Sequence, residues 1–240
     1  MRSIAASAKS ILPKSVEVWL RSFKLKALSK KEVKTVFSDI YEKSLWGESK
    51  EKFCSGMGSS EVNSNEYVAW VNQFITDKKI QSVVDLGCGD FQVGRRLELG
   101  SASYTGCDVV PQLVAHNNET FGNENISFKV CNIIEDELPE ADFCMIRQVF
   151  QHLSNDSIQS VLQKLKKYKY VLITDCQPNG DRQRINYDMP NFSGTRNVVH
   201  GTGLWLENAP FNVDGEVAFE LTYVSEDDEF FRGFLISNVQ

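Results

Sequence analysis

Three histidines and six scattered cysteines are all that the 240 residues offer to a zinc site or a disulfide framework. Cys54, Cys88, Cys107, Cys131, Cys144 and Cys176 include no C-x-x-C pair and have no histidine cluster beside them, so no metal site is expected. Reduced, buried thiols in a cytosolic protein are the simpler reading. Long apolar runs are also lacking: no stretch approaches the roughly 18 uninterrupted apolar residues that a membrane span needs. There is no internal repeat, no low-complexity tract, and no Gly-Lys-Ser/Thr to close a phosphate-binding P-loop.

Positive charge is scarce beyond the first 36 residues. Those 36 hold nine Lys/Arg against Glu17 and Glu32, about +7, which leaves about −13 on residues 37–240 from a net charge of −6. An acidic body argues against a nucleic-acid partner, because neutralising phosphates needs a basic face on the domain itself. In the basic head (1–36), Val16, Trp19, Leu20 and Phe23 recur at helical spacing behind Pro13, which describes an amphipathic helix. Three roles stay open for it: peripheral contact with an anionic membrane surface, docking on a partner or on its own domain, or a transit peptide.

Residues 37–240 have the size and composition of one soluble, cytoplasmic α/β domain, with 42% hydrophobic and 24% charged residues over the chain. Strands are expected at 80–86, 102–110, 126–133, 141–149 and 169–175. Helices are expected from about Phe91, over 111–120 and over 155–168, the last capped near Ser154 or Asn155. Five strands with crossovers predict a Rossmann-like, doubly wound, mostly parallel sheet. A polar loop over 176–203 follows, and "VAFELTYV" with "EFFRGFLISNV" predicts a closing antiparallel hairpin, making seven strands.

The stretch "VVDLGCGDFQVG" (83–94) ends the first strand in a glycine loop at the carboxyl edge of the sheet, where open α/β folds bind ligands. A dinucleotide fingerprint would place a third glycine at position 92, which is Gln92. Asp85 and Asp90 would also repel a pyrophosphate. The same carboxylates suit a cation. Gly87, Cys88 and Gly89 let backbone approach closely, and Asp85 can accept from an ammonium near a positive sulfur. Asp108, at the end of the second strand, is placed for ribose hydroxyls, beside Val109. Asn132 is placed for an adenine edge, with Ile133 on the ring face. Together these features describe S-adenosylmethionine. The alternative for each Asp or Asn is a turn cap at a strand end.

"VVDLGCGD", "YTGCDVV", "VCNI" and "IRQVFQHLS" resemble the motifs of the class I S-adenosylmethionine-dependent methyltransferases. More narrowly, "IYEKSLWG" and "SGMGSS" within 40–60, with "RQVFQHLSNDSI", resemble a bacterial branch associated with glycan and polysaccharide biosynthesis, over roughly residues 37–211. The resemblance implies that Tyr41, Trp46 and the loop from Ser55 to Ser59, including Gly56, close over the cofactor, and that Arg147 belongs to its site. Two residues depart from the branch: Gln148 stands where its members usually have Asp, and Asn132 replaces an Asp at the adenine position.

Methyl transfer to a hydroxyl needs a proton acceptor, and His152, past the end of the fourth strand, is the expected general base. A residue of the loop over 176–203, which would face the substrate, is the other candidate base, and a helix-start histidine bonded to backbone is the alternative role for His152. The expected activity is O-methylation of a saccharide or glycan intermediate. N- or O-methylation of another small molecule, or an inactive methyltransferase-like binding module, remain the other readings. An N-acceptor would make His152 dispensable.

Overall fold

The computed structural model describes residues 32–47, 52–224 and 228–239. The expected head helix around Val16, Trp19, Leu20 and Phe23 lies outside them. Helix α1 (Val33–Glu42) runs across the boundary expected at residue 36 and buries Val36 and Ile40. A loop and the long helix α2 (Glu61–Lys78) lead into β1 (Ser82–Leu86). Then follow β2 (Ser103–Asp108), α3 (Pro111–Phe121), β3 (Ile126–Val130), β4 (Phe143–Arg147), α4 (Asn155–Lys164), β5 (Tyr170–Pro178), α5 (Arg196–His200), β6 (Glu216–Thr222) and β7 (Glu229–Ser237).

The seven strands form one sheet in the order β3-β2-β1-β4-β5-β7-β6. The five strands from β3 to β5 are parallel, while β7 pairs antiparallel with both β5 and β6. This is the expected Rossmann-like architecture. Alternation along the central strands divides the core between two faces. Val83, Phe143 and Met145 pack with Val71, Phe74 and Ile75 of α2. Val84, Leu86, Cys144 and Ile146 pack with Ile158 and Val161 of α4. A sheet covered on both faces requires nearly continuous apolar strands, as "SVVDL" and "FCMIR" are. Asp85 interrupts β1 at the edge where the cavity lies.

The helix expected from Phe91 is absent; a single 3-10 turn, Gly94–Arg96, replaces it. Phe91 takes φ +64, which ends any helix at its start, and turns its ring inward onto Tyr104, Phe121 and Phe128 at 4.9–5.3 Å. A Cβ on Gly94 would overlap that ring. The fourth helix is shorter than 155–168, ending at Lys164 before a 3-10 turn, Leu165–Lys167. Its cap is as expected: Ser154 Oγ accepts from Ser157 N–H at 3.2 Å. Among the described residues no helix is long and apolar enough to cross a membrane, and no cluster of three or more His, Cys, Asp or Glu could hold a metal ion. The six cysteines are free thiols.

Candidate functional site

The carboxyl ends of β1, β2 and β4 open into a cavity of about 340 Å³, roofed by α1 and the loop that follows it. That volume is within the range for small-molecule sites. All fourteen site residues expected from the sequence line it, from Tyr41 and Trp46 to Arg147 and His152. They come from five separate parts of the chain.

The floor is the glycine loop. Gly87 (φ +84) and Gly89 (φ +57) take left-handed conformations that favour glycine. A Cβ at Gly87 would enter the side chain of Val149, and one at Gly89 would enter Ser55. The buried Asn117 of α3 donates to the Gly89 carbonyl at 2.8 Å, fixing the loop from below. Asp85 is buried, and its Oδ2 accepts from the Tyr104 hydroxyl at 2.6 Å. Burial lifts its pKa to about 6, against the lowering effects of Tyr104 and Arg147. Asp108 behaves alike: Oδ1 accepts from Val110 N–H at 3.0 Å, Oδ2 from Gly89 N–H at 3.2 Å, and burial pushes its pKa to about 6. Asn132 Oδ1 accepts from Ile134 N–H at 3.1 Å while Nδ2 donates to Glu135 at 3.0 Å. Asp108 and Asn132 thus serve as turn caps in addition to facing the cavity.

The roof is fastened to this floor by contacts that span the sequence. Ser55 N–H donates to Asp90 Oδ2 at 2.9 Å, and Asp90 N–H donates to Ser55 Oγ at 2.8 Å. This reciprocal pair accounts for the second carboxylate of the glycine loop, which clasps the roof. The Tyr41 hydroxyl is 3.2 Å from Ser55 Oγ, and burial with the nearby Asp108 charge holds its pKa well above the usual phenol value. Arg147 Nη2 donates to the carbonyls of Gly58 (2.7 Å) and Asn63 (3.3 Å), with Tyr67 and Phe231 each 5.0 Å from the guanidinium. Its observed contacts therefore hold the roof loop. Gly56 (φ +89) and Ser59 flank that contact.

His152 is buried in the wall beneath Trp46, with ring centroids 5.2 Å apart. Its tautomer follows from its neighbours. Gln151 Oε1 accepts from Cys176 N–H at 3.1 Å, which turns Gln151 Nε2 toward His152 Nε2 at 3.3 Å. His152 Nε2 therefore accepts, and Nδ1–H donates to the Gly194 carbonyl at 3.0 Å. Burial lowers its pKa to about 4, so the ring is neutral at physiological pH. Trp46 Nε1 donates to the adjacent Ser193 carbonyl at 3.3 Å, so the strap at 193–195 is tied to both rings. Sequence reasoning missed the Asp90–Ser55 clasp and the roles of Asn117 and Gln151, and saw the strap only as part of the polar loop over 176–203, since contacts 25 to 147 residues apart leave no local signal.

Residues 83–168 match the profile of the family described as "Methyltransferase domain". No curated protein matches the chain in sequence. Among solved structures, the fold is similar to that of magnesium protoporphyrin IX methyltransferase from Synechocystis PCC 6803 with bound S-adenosylmethionine (13% identity, 86% of this chain and 98% of that one, TM-score 0.53). It is also similar to the N-methyltransferase NodS from Bradyrhizobium japonicum WM9 (12%, 75% and 98%, 0.52). A third is human N-acetylserotonin methyltransferase in complex with S-adenosylmethionine (13%, 94% and 68%, 0.50). The chain thus has the Rossmann-like methyltransferase fold, with residues 83–168 similar in sequence to the methyltransferase domain itself.

Proposed function

We propose that the chain is a methyltransferase that uses S-adenosylmethionine, and that its acceptor is a hydroxyl of a saccharide or glycan intermediate. The observation that carries the cofactor reading is the floor of the cavity, where a left-handed glycine loop, two buried carboxylates and Asn132 meet at the ends of three neighbouring strands. When bound, the cofactor supplies an activated methyl group, so the protein's work is alignment and exclusion of water. The Gly87–Gly89 backbone and Asp85 would hold the methionine end; Asp108 would take the ribose hydroxyls, and Asn132 with Ile133 the adenine. Trp46 and the 55–59 loop cover the site. The acceptor reading rests on the branch resemblance of residues 37–211.

A hydroxyl acceptor must lose a proton, and His152 is the neutral imidazole on the wall that takes it, once Nε2 gives up its bond from Gln151. One observation favours a second reading, an amine acceptor: both His152 nitrogens are engaged, and an imidazole whose pKa is lowered to about 4 is a weak base.

Labelled methyl transfer into a cell extract, fractionated into lipid, polysaccharide, protein and small molecules, tests the activity and names the acceptor fraction. On that fraction His152→Ala separates the two readings. The hydroxyl reading expects at least a hundred-fold slower transfer with cofactor affinity retained; wild-type turnover would support the amine.

A further inference from the structure

We infer that Gln148 orients the acceptor, through a hydrogen bond from its side-chain amide. This rests on the methyltransferase reading above and concerns the half of the cavity that the cofactor residues leave over. The strand order divides the site. The expected adenosine contacts, Asp108 and Asn132, lie at the ends of β2 and β3, and Asp85 with the glycine loop at β1. The next strands, β4 and β5, lie on the other side of β1 and remain for the acceptor. Gln148 follows β4 directly, lines the cavity, and is tied to β5 by its own N–H on the Thr174 carbonyl at 2.6 Å.

Three features make it more than a wall residue. It takes φ +56, a left-handed conformation that costs a non-glycine residue energy and tends to persist at functional sites. Its amide orientation is fixed by chemistry: the Arg147 guanidinium can only donate, so the atom 3.3 Å from Nη1 is the carbonyl Oε1. Nε2 is thereby turned to Cys176 Sγ, 3.2 Å away, a weak acceptor that engages one of its two protons. The other N–H is the donor assigned to the acceptor molecule. The roof loop also rests on this amide: a Cβ on Gly58 would overlap Gln148 Oε1, and Arg147 donates to both Gly58 O and Oε1. The roof loop, itself held by Arg147, thus backs the amide and fixes its place.

The test compares the full-length wild type with Gln148→Ala, Gln148→Met and Gln148→Glu. S-adenosylhomocysteine binding is measured by calorimetry, and label uptake is measured over a dilution series of the extract fraction that the wild type methylates. Ala and Met are expected to raise the half-saturating amount of that fraction at least ten-fold, with S-adenosylhomocysteine affinity within about three-fold of wild type. Met keeps the volume, so the two variants together distinguish a lost donor from a lost shape. Glu keeps the length but replaces the donor with a carboxylate oxygen, and is expected to be as poor as Ala. Wild-type saturation by Met, or recovery by Glu, would overturn the donor role. Parallel loss of S-adenosylhomocysteine binding in the variants would place Gln148 in the cofactor site instead. Wild type that fails to bind S-adenosylhomocysteine would overturn the cofactor reading itself.

Discussion

The two halves of the cavity are built differently. Over β1–β3 the wall is acidic and local: Asp85, Gly87, Gly89 and Asp108 sit within one strand-loop-strand unit, and backbone amides satisfy much of it. Over β4 and β5 it is neutral or cationic and assembled from afar, with Arg147 reaching Gly58 and His152 reaching Gly194. The first half is shaped by its own φ angles, and the second by contacts with the roof and strap. On the proposed reading, the acidic half takes a cationic cofactor and the half built from distant contacts takes the acceptor.

The largest effect on stability is expected where the acidic half is disturbed through its backbone. Gly87→Ala places a side chain in a left-handed conformation and against Val149, and is expected to cost about 2–4 kcal/mol in chemical denaturation. Unfastening the assembled half should act on binding instead. Arg147→Met removes the donor to Gly58 and is expected to weaken S-adenosylhomocysteine binding about ten-fold by calorimetry, the scale of one charged hydrogen bond.

Proton linkage separates the halves further. Asp85 and Asp108 bind protons more tightly folded, with pKa values of about 6 against 3.8, so their contribution to the stability of the ligand-free chain is fully present below about pH 3.8 and is lost as the pH rises through about 6. His152 runs the other way. Its folded pKa of about 4 lies below the ordinary 6.5, so its contribution is present above pH 6.5 and is lost as the pH falls through about 4. Cofactor affinity is the cleaner readout: a cationic ligand needs the carboxylates ionised, so affinity should fall by several-fold between pH 7 and pH 5.5. Least effect is expected from Trp46→Phe, which keeps a ring over His152 and loses one neutral hydrogen bond to Ser193; affinity should change by no more than about three-fold.

The same division explains what the sequence reveals. Apolar runs such as "SVVDL" and "FCMIR" mark strands because both sheet faces are covered, and glycine spacing marks the loop because φ there is positive. The helix expected after that loop fails at Phe91, whose ring is drawn into the core by Tyr104, Phe121 and Phe128, a tertiary effect that overrides local pattern. Asp90 is visible as an acid, but its clasp on Ser55 depends on a loop 35 residues earlier. Likewise His152 is recognisable as a site residue, while its tautomer is set by Cys176 and Gly194, which no spacing announces.

If the acidic floor binds S-adenosylmethionine, Asp85 is the contact whose loss is felt most. Calorimetric titration of the cofactor into the wild type and into Asp85→Ala tests it most directly. One-to-one binding by the wild type, with affinity reduced at least a hundred-fold in the variant while its circular dichroism spectrum is retained, is the predicted result. No binding by the wild type, or equal binding by both proteins, would mean that the floor is not the cofactor site.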